Sequence, residues 1–194
     1  AEVNTNQGWF INQDNEFYYS GKDGVIGPEG IIEVNGTSYY VDDKGVQQRG
    51  YIDAKNGNRY YAYANGALQI YKGFFIRDDG TIFYADDNGV ITFGFKDVNR
   101  VKYYVDEYGV QKKGYFQDSD NRYYAHADGS VIVASGWFVR DDGKLIYTDE
   151  GGKITKGFKK QGATTYYADE YGVQVTGYFN PGDGYLRYAH ANGS

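Results

Sequence analysis

Cysteine is absent from this 194-residue chain, so no disulfide staples it and no thiolate is available as a nucleophile. A surface or secreted location is compatible with that absence. Histidine is nearly absent too. His126 and His190 occupy the place that Tyr63 fills in an earlier equivalent segment. A general base would not be interchangeable with tyrosine, so both read as ring-for-ring replacements. Two prolines beside 28 glycines, with no Gly-X-Y period, fit tight turns and exclude collagen. No apolar run is long enough to cross a bilayer, and none resembles a secretory leader. Basic clustering is missing as well. The formal charge is −6 and the pI about 4.9, which argues against a nucleic-acid-binding face.

Glycine and aromatic residues instead follow a fixed rhythm. A glycine that opens an apolar or aromatic segment recurs at Gly8, Gly30, Gly50, Gly73, Gly94, Gly114, Gly136, Gly157 and Gly177, at intervals of 20 to 23 residues. Such a period marks stacked repeats, each unit burying its apolar face mainly on its neighbours. The 23 tyrosines suit a fold with little true interior, because tyrosine buries a large ring and keeps its hydroxyl wet. Aligned, the units rotate through three kinds. The first opens with Gly8-Trp9-Phe10, Gly73-Phe74-Phe75 and Gly136-Trp137-Phe138. The second carries Tyr39-Tyr40, Tyr103-Tyr104 and Tyr166-Tyr167, each running on into Gly-Val-Gln, which places Gln47, Gln111 and Gln174. The third opens Gly-Tyr, at Tyr51, Tyr115 and Tyr178. Residues 1–194 therefore read as one array of three super-repeats, about 8–72, 73–135 and 136–194. The Ala1–Gln7 stretch and the closing Ala-Asn-Gly-Ser read as edges of a fragment.

Each unit has room for two short strands and a turn, which makes a β-hairpin the natural element. Asn56-Gly57, Asn65-Gly66, Asp79-Gly80 and Asp142-Gly143 supply the positive-φ positions that tight turns need. No segment shows a 3.6-residue apolar stripe with caps, so no long helix is expected. A lone hairpin is marginal in water, so the units must stack. The predicted fold is all-β, a β-solenoid of about nine hairpins. With roughly three hairpins per turn, units of one kind would share a face.

A unit of this length with Gly-aromatic, Tyr-Tyr and Asp-x-Gly elements resembles the bacterial cell-wall-binding and glucan-binding repeats, from Gly8 to Gly193. The family resemblance implies a left-handed hairpin solenoid, supports the count of three hairpins per turn, and places the chain on a secreted or cell-surface protein. Its branches bind different ligands. Choline-type repeats enclose a cation with tryptophans, one in Gly-Trp and one before Tyr-Tyr. Here Gly-Trp survives only at Trp9 and Trp137, and Ser38, Lys102 and Thr165 precede the tyrosine pairs. A lysine there would repel a quaternary ammonium. The glucan-binding repeats of glucansucrases, of the alternansucrase and dextransucrase type, are a better match. In those, a tyrosine stacks on a glucosyl ring beside a Gln-x-Lys pair. The resemblance assigns this role to Gln47 with Arg49 and Gln111 with Lys113, whereas Thr176 follows Gln174 where a cation would stand. It also implies a glucansucrase as parent enzyme.

The residues support this reading on their own terms. Adjacent strand residues point to opposite faces, so one ring of each pair Tyr39-Tyr40, Tyr103-Tyr104 and Tyr166-Tyr167 should be core and the other outside. Tyr51, Tyr115 and Tyr178 directly follow the glutamine segments and could close the same pocket. Glutamine offers both donor and acceptor, which matches vicinal hydroxyls without charge, or it could satisfy a neighbouring turn. Paired aspartates such as Asp42-Asp43 and Asp78-Asp79 fit turn chemistry rather than a calcium loop. Carboxylates spread through repeated turns offer no desolvated catalytic pair. The expectation is a monomeric, non-catalytic module that binds α-glucan, with no cofactor, metal, nucleic acid or membrane. The alternatives are a choline and teichoic-acid anchor, or a spacer with a protein partner.

Overall fold

The computed structural model describes residues 5–194, so residues 1–4 of the Ala1–Gln7 stretch lie outside the described residues. The chain forms two compact units, one running to Phe93 and adding Val105–Val110, the other holding Gly94–Tyr104 and Gln111–Ser194. Among the described residues all regular structure is β apart from three single 3-10 turns at Lys22–Gly24, Asp87–Gly89 and Glu150–Gly152. Among the described residues the strands make nine two-stranded sheets, each from consecutive strands. In the first unit β1 (Gly8–Ile11) pairs with β2 (Phe17–Ser20), and β3 (Gly30–Val34) with β4 (Thr37–Val41). There too β5 (Gly50–Asp53) pairs with β6 (Arg59–Ala62), and β7 (Gly73–Ile76) with β8 (Ile82–Ala85). The next hairpin is β9 (Gly94–Val98) with β10 (Val101–Val105). In the second unit follow β11 (Gly114–Asp118) with β12 (Asn121–Ala125), and β13 (Gly136–Val139) with β14 (Leu145–Thr148). The last are β15 (Gly157–Gln161) with β16 (Thr164–Ala168), and β17 (Gly177–Phe179) with β18 (Arg187–Ala189).

Turn chemistry sets these hairpins. Asn35 and Gly36 both take positive φ, 52° and 78°, the two-residue turn whose twist matches antiparallel strands. Longer loops close at Gly57, Gly80 and Gly143, all near φ 82°. Asn65-Gly66 differs from the sequence expectation. It lies after β6, in a turn where Tyr63 N–H reaches Ala67 O at 2.9 Å, rather than inside a hairpin. Every second strand ends in such a turn, and the tail that leaves it holds the hairpins together.

In the tail after β4, Gln47 N–H donates to Phe17 O of the preceding hairpin and Gln48 N–H to Tyr40 O of its own, both at 2.8 Å. The pattern recurs where Ile91 N–H meets Arg59 O, Ile154 N–H meets Arg122 O, and Gln174 N–H meets Leu145 O, at 2.8, 2.8 and 2.9 Å. A tail is thus bonded on both sides, and a pair of marginal hairpins becomes one cooperative piece. Such close insertion needs glycine at the tail's start. A Cβ on Gly89 would stand 1.9 Å from Gln69 O, and one on Gly152 1.9 Å from Ile132 O.

Small aromatic cores sit between the tails. Tyr40, Ile52, Tyr60 and Leu68 pack together, as do Tyr61, Phe83 and Ile91 in the same unit. In the second unit Tyr104, Phe116 and Tyr123 form one cluster and Tyr124, Ile132 and Ile146 another. Burying each ring contributes on the order of 1.5–3 kcal/mol. Gly57 also has positive φ but open space around its Cα, so it isolates the backbone cost from the clash. Gly57→Ala should cost about 1–2 kcal/mol. Gly89→Ala should cost about 1–3 kcal/mol beyond that, because backbone cannot yield as a side chain can. Urea midpoints of the two variants measure the difference, and equal midpoints would contradict the inserted-tail packing.

Candidate functional site

The tail after β4 also builds a notch. Trp9 from β1 packs edge-on against Tyr39 from β4, with centroids 5.0 Å apart, and against its cross-strand partner Tyr19 at 5.3 Å. Phe17, Gln47, Arg49 and Asn65 complete an opening of about 230 Å3 lined by Trp9 and Tyr39. A second depression shares Phe17, Gln47 and Arg49 and continues past Asn15, Glu16 and Gln48. The two depressions therefore adjoin along Phe17, Gln47 and Arg49.

The glutamine is held from two sides. Its amide lies flat on the Cα of Gly66, where a Cβ would come within 2.3 Å of it, and Arg49 Nε–H donates to its Oε1 at 3.1 Å. Gln111 and Gln174 repeat the first contact on Gly129 and Gly193, with distances to a Cβ of 2.2 and 2.3 Å. These turn glycines thus have a packing duty toward the glutamines as well as positive φ. Gln111 Oε1 is buried and accepts no hydrogen bond. In the second unit Trp137 packs on Tyr166 at 5.7 Å and on Tyr147 at 5.2 Å, and its Nε1 is buried without an acceptor.

The sequence-predicted residues separate into groups. Tyr39, Gln47 and Arg49 line one notch. Tyr103 and Tyr166 are half-buried, and Lys113 is exposed. Tyr40, Tyr104 and Tyr167 face the cores, their hydroxyls donating to Glu29 at 2.9 Å, Asp118 at 3.2 Å and Pro181 O at 3.3 Å. Tyr51 and Tyr115 act elsewhere. Tyr51 donates to Tyr108 O at 2.7 Å and accepts from Arg77 at 3.0 Å, and Tyr115 does the same with Tyr171 O and Arg140 at 2.8 Å each. Burial pushes both phenols up, against the pull of the arginines. Tyr178 is 75% exposed. Trp9, Phe17, Asn65 and Trp137 were not among the predicted site residues. The surviving Gly-Trp element carried the signal for the tryptophans.

Many ring faces already hold a cation of the chain itself. Arg49 stands 5.6 Å from the Phe17 centroid, Arg59 4.6 Å from Tyr108, Arg122 4.5 Å from Tyr171 and Lys159 4.5 Å from Tyr147. The histidines follow the tyrosine they replace: Tyr63 sits edge-on to Tyr61 at 5.5 Å, His126 to Tyr124 at 5.7 Å, and His190 to Tyr188 at 5.6 Å.

Comparison with known proteins agrees with the family resemblance. Residues 75–91, which cover β8 and its tail, match the model described as "Putative cell wall binding repeat". The chain is 29% identical over 171 residues to glucosyltransferase-S of Streptococcus mutans, which covers 87% of this chain and 12% of that protein. It therefore spans about 12% of the length of this curated relative. Among solved structures, choline-binding protein F of Streptococcus pneumoniae superposes with a TM-score of 0.66 at 22% identity, over 96% of this chain and 63% of that one. CbpJ of the same organism gives 0.69 at 20% identity, over 97% and 69%. At such identities the likeness shows the fold alone, a run of two-stranded hairpin repeats.

Tyr40 offers a pH test of the packing. Burial, then the Glu29 hydrogen bond and charge, push its phenol up to about 12 from an ordinary 10.0. The folded state thus favours the neutral ring. Its contribution to stability is whole below pH 10 and disappears as pH rises through about 12. Phenolate absorbance should therefore show a late stage that coincides with loss of the β-sheet circular dichroism, and Tyr40→Phe should shrink that stage. Complete ionisation with the sheet signal intact would contradict it.

Proposed function

We propose that the chain is a non-catalytic carbohydrate-binding module for an α-glucan such as dextran. In this reading the hairpins stack about three to a turn in a single solenoid array, carried on a secreted or cell-surface glucosyltransferase. The observation that carries it is the notch in which an aromatic pair, Trp9 and Tyr39, stands beside the packed amide of Gln47 and the side chain of Asn65. An aromatic face takes the C–H side of a sugar ring, while an amide meets vicinal hydroxyls as donor and acceptor. Trp137, Tyr166 and Gln174 supply the matching groups in the second unit, and Gln111 with Tyr103 and Lys113 a further set. The sequence relationship to a glucosyltransferase supports the choice of glucan.

One stacked ring and two or three net hydrogen bonds reach about 4 kcal/mol, or roughly millimolar affinity. Repeated notches on one polymer reinforce each other through effective concentration. The fold likeness to choline-binding proteins keeps choline as the second reading. Against it stand the arginines and lysine already placed over the rings, since a quaternary ammonium would have to displace them.

Electrophoresis through dextran-containing gels tests the proposal. Wild type should be retarded. Trp9→Ala and the isosteric Gln47→Glu should each weaken binding at their notch about 5- to 30-fold, roughly 1–2 kcal/mol, with the fold intact by circular dichroism. Absence of retardation for wild type, or release by choline with indifference to dextran, would overturn it.

A further inference from the structure

We propose a second saccharide site of a different make, a groove in the first unit beneath Phe93 that takes a pyranose ring. It rests on the carbohydrate reading above and extends it to residues outside the glutamine pattern. The groove, about 360 Å3, is lined by Asp53, Asn58, Arg59, Thr92, Phe93 and Glu107 among others. Phe93 is 68% exposed, and its ring joins none of the core clusters.

Arg59 fixes the wall of this groove. It donates from Nε and Nη2 to the two Asp53 oxygens at 2.6 and 3.2 Å and from Nη1 to Glu107 O at 2.9 Å, and it stacks over Tyr108. With those donors engaged, Arg59 is a positioning residue. It holds the Asp53 carboxyl below the usual carboxylate range, chiefly by this hydrogen bond, so the group stays an acceptor. The Asp53 side chain is still 73% exposed, leaving its remaining lone pairs open. A pinned acceptor beside a free aromatic face suits a ligand with one C–H face and a rim of hydroxyl donors.

The second unit provides an internal control. Arg122 repeats the frame, donating to Glu170 O at 2.8 Å and stacking over Tyr171. There Gln117 stands opposite the arginine in the place of Asp53, and Lys156 follows Thr155 where Phe93 follows Thr92. The frame is therefore common to both, whereas the ring and the carboxylate belong to the first unit alone.

Amide NMR of the whole chain during titration with isomaltotriose tests the proposal. The Asn58 side-chain amide and the Thr92, Phe93 and Gly94 backbone amides should shift, in addition to the side-chain amides of Gln47 and Asn65. Phe93→Lys should weaken the first response more than 10-fold and leave the second unchanged. Shifts confined to Gln47 and Asn65, groove shifts that persist in Phe93→Lys, or groove shifts with choline but not with isomaltotriose would each overturn the groove while sparing the notch. Silence at both sets would overturn the carbohydrate reading and the groove with it.

Discussion

Everything in this molecule depends on a tail that shares its backbone hydrogen bonds between two hairpins. A two-stranded hairpin leaves both edges unpaired and buries little, so alone it is barely stable. The tail occupies one edge of each neighbour, as when Gln47 and Gln48 divide their amides between Phe17 and Tyr40. Entry between two backbones leaves no room for a Cβ, which is why glycine stands at Gly45, Gly89, Gly109, Gly152 and Gly172. At these tail positions glycine is required by packing as well as by φ, whereas the strand-opening glycines Gly30, Gly50, Gly94, Gly114, Gly157 and Gly177 have open space where a Cβ would stand and are required by their positive φ alone.

The same constraint shapes the recesses. The tail carries Gln47 past the strand edge and lays its amide on Gly66 of the following turn, between rings contributed by two earlier hairpins. The chain gives that position an uncharged group of fixed orientation and surrounds it with aromatic edges. Elsewhere its own arginines already satisfy the ring faces. What is left open suits a polar, uncharged, ring-shaped partner. In the proposed carbohydrate reading, fixing the amide in advance would reduce the entropy lost on binding, which matters where each contact is weak.

Much of this was legible in the sequence because the determinants are local. Positive-φ glycines and the strand alternation within Tyr39-Tyr40 are each readable within one unit, and the triplet rotation appears once the units are aligned. The structure bears out the all-β hairpin elements and buries Tyr40, Tyr104 and Tyr167. The notch as a whole was not legible, since Trp9, Tyr39, Gln47 and Asn65 come from three different hairpins. Tyr51 shows the same difficulty: its partner Tyr108 is 57 residues away, and nothing near Gly50 signals it. Asn65-Gly66 read as a hairpin turn because its dipeptide is right for one. Only the tail's path reveals that it ends a strand and supports a glutamine.

Native-state hydrogen exchange measures the shared tail most directly. The backbone amides of Gln47, Ile91, Ile154 and Gln174 should exchange as slowly as a central strand amide such as that of Phe83, opening only when the hairpins they join open together. Exchange of those four amides at the rate of exposed loop positions, with the strands still protected, would contradict the account.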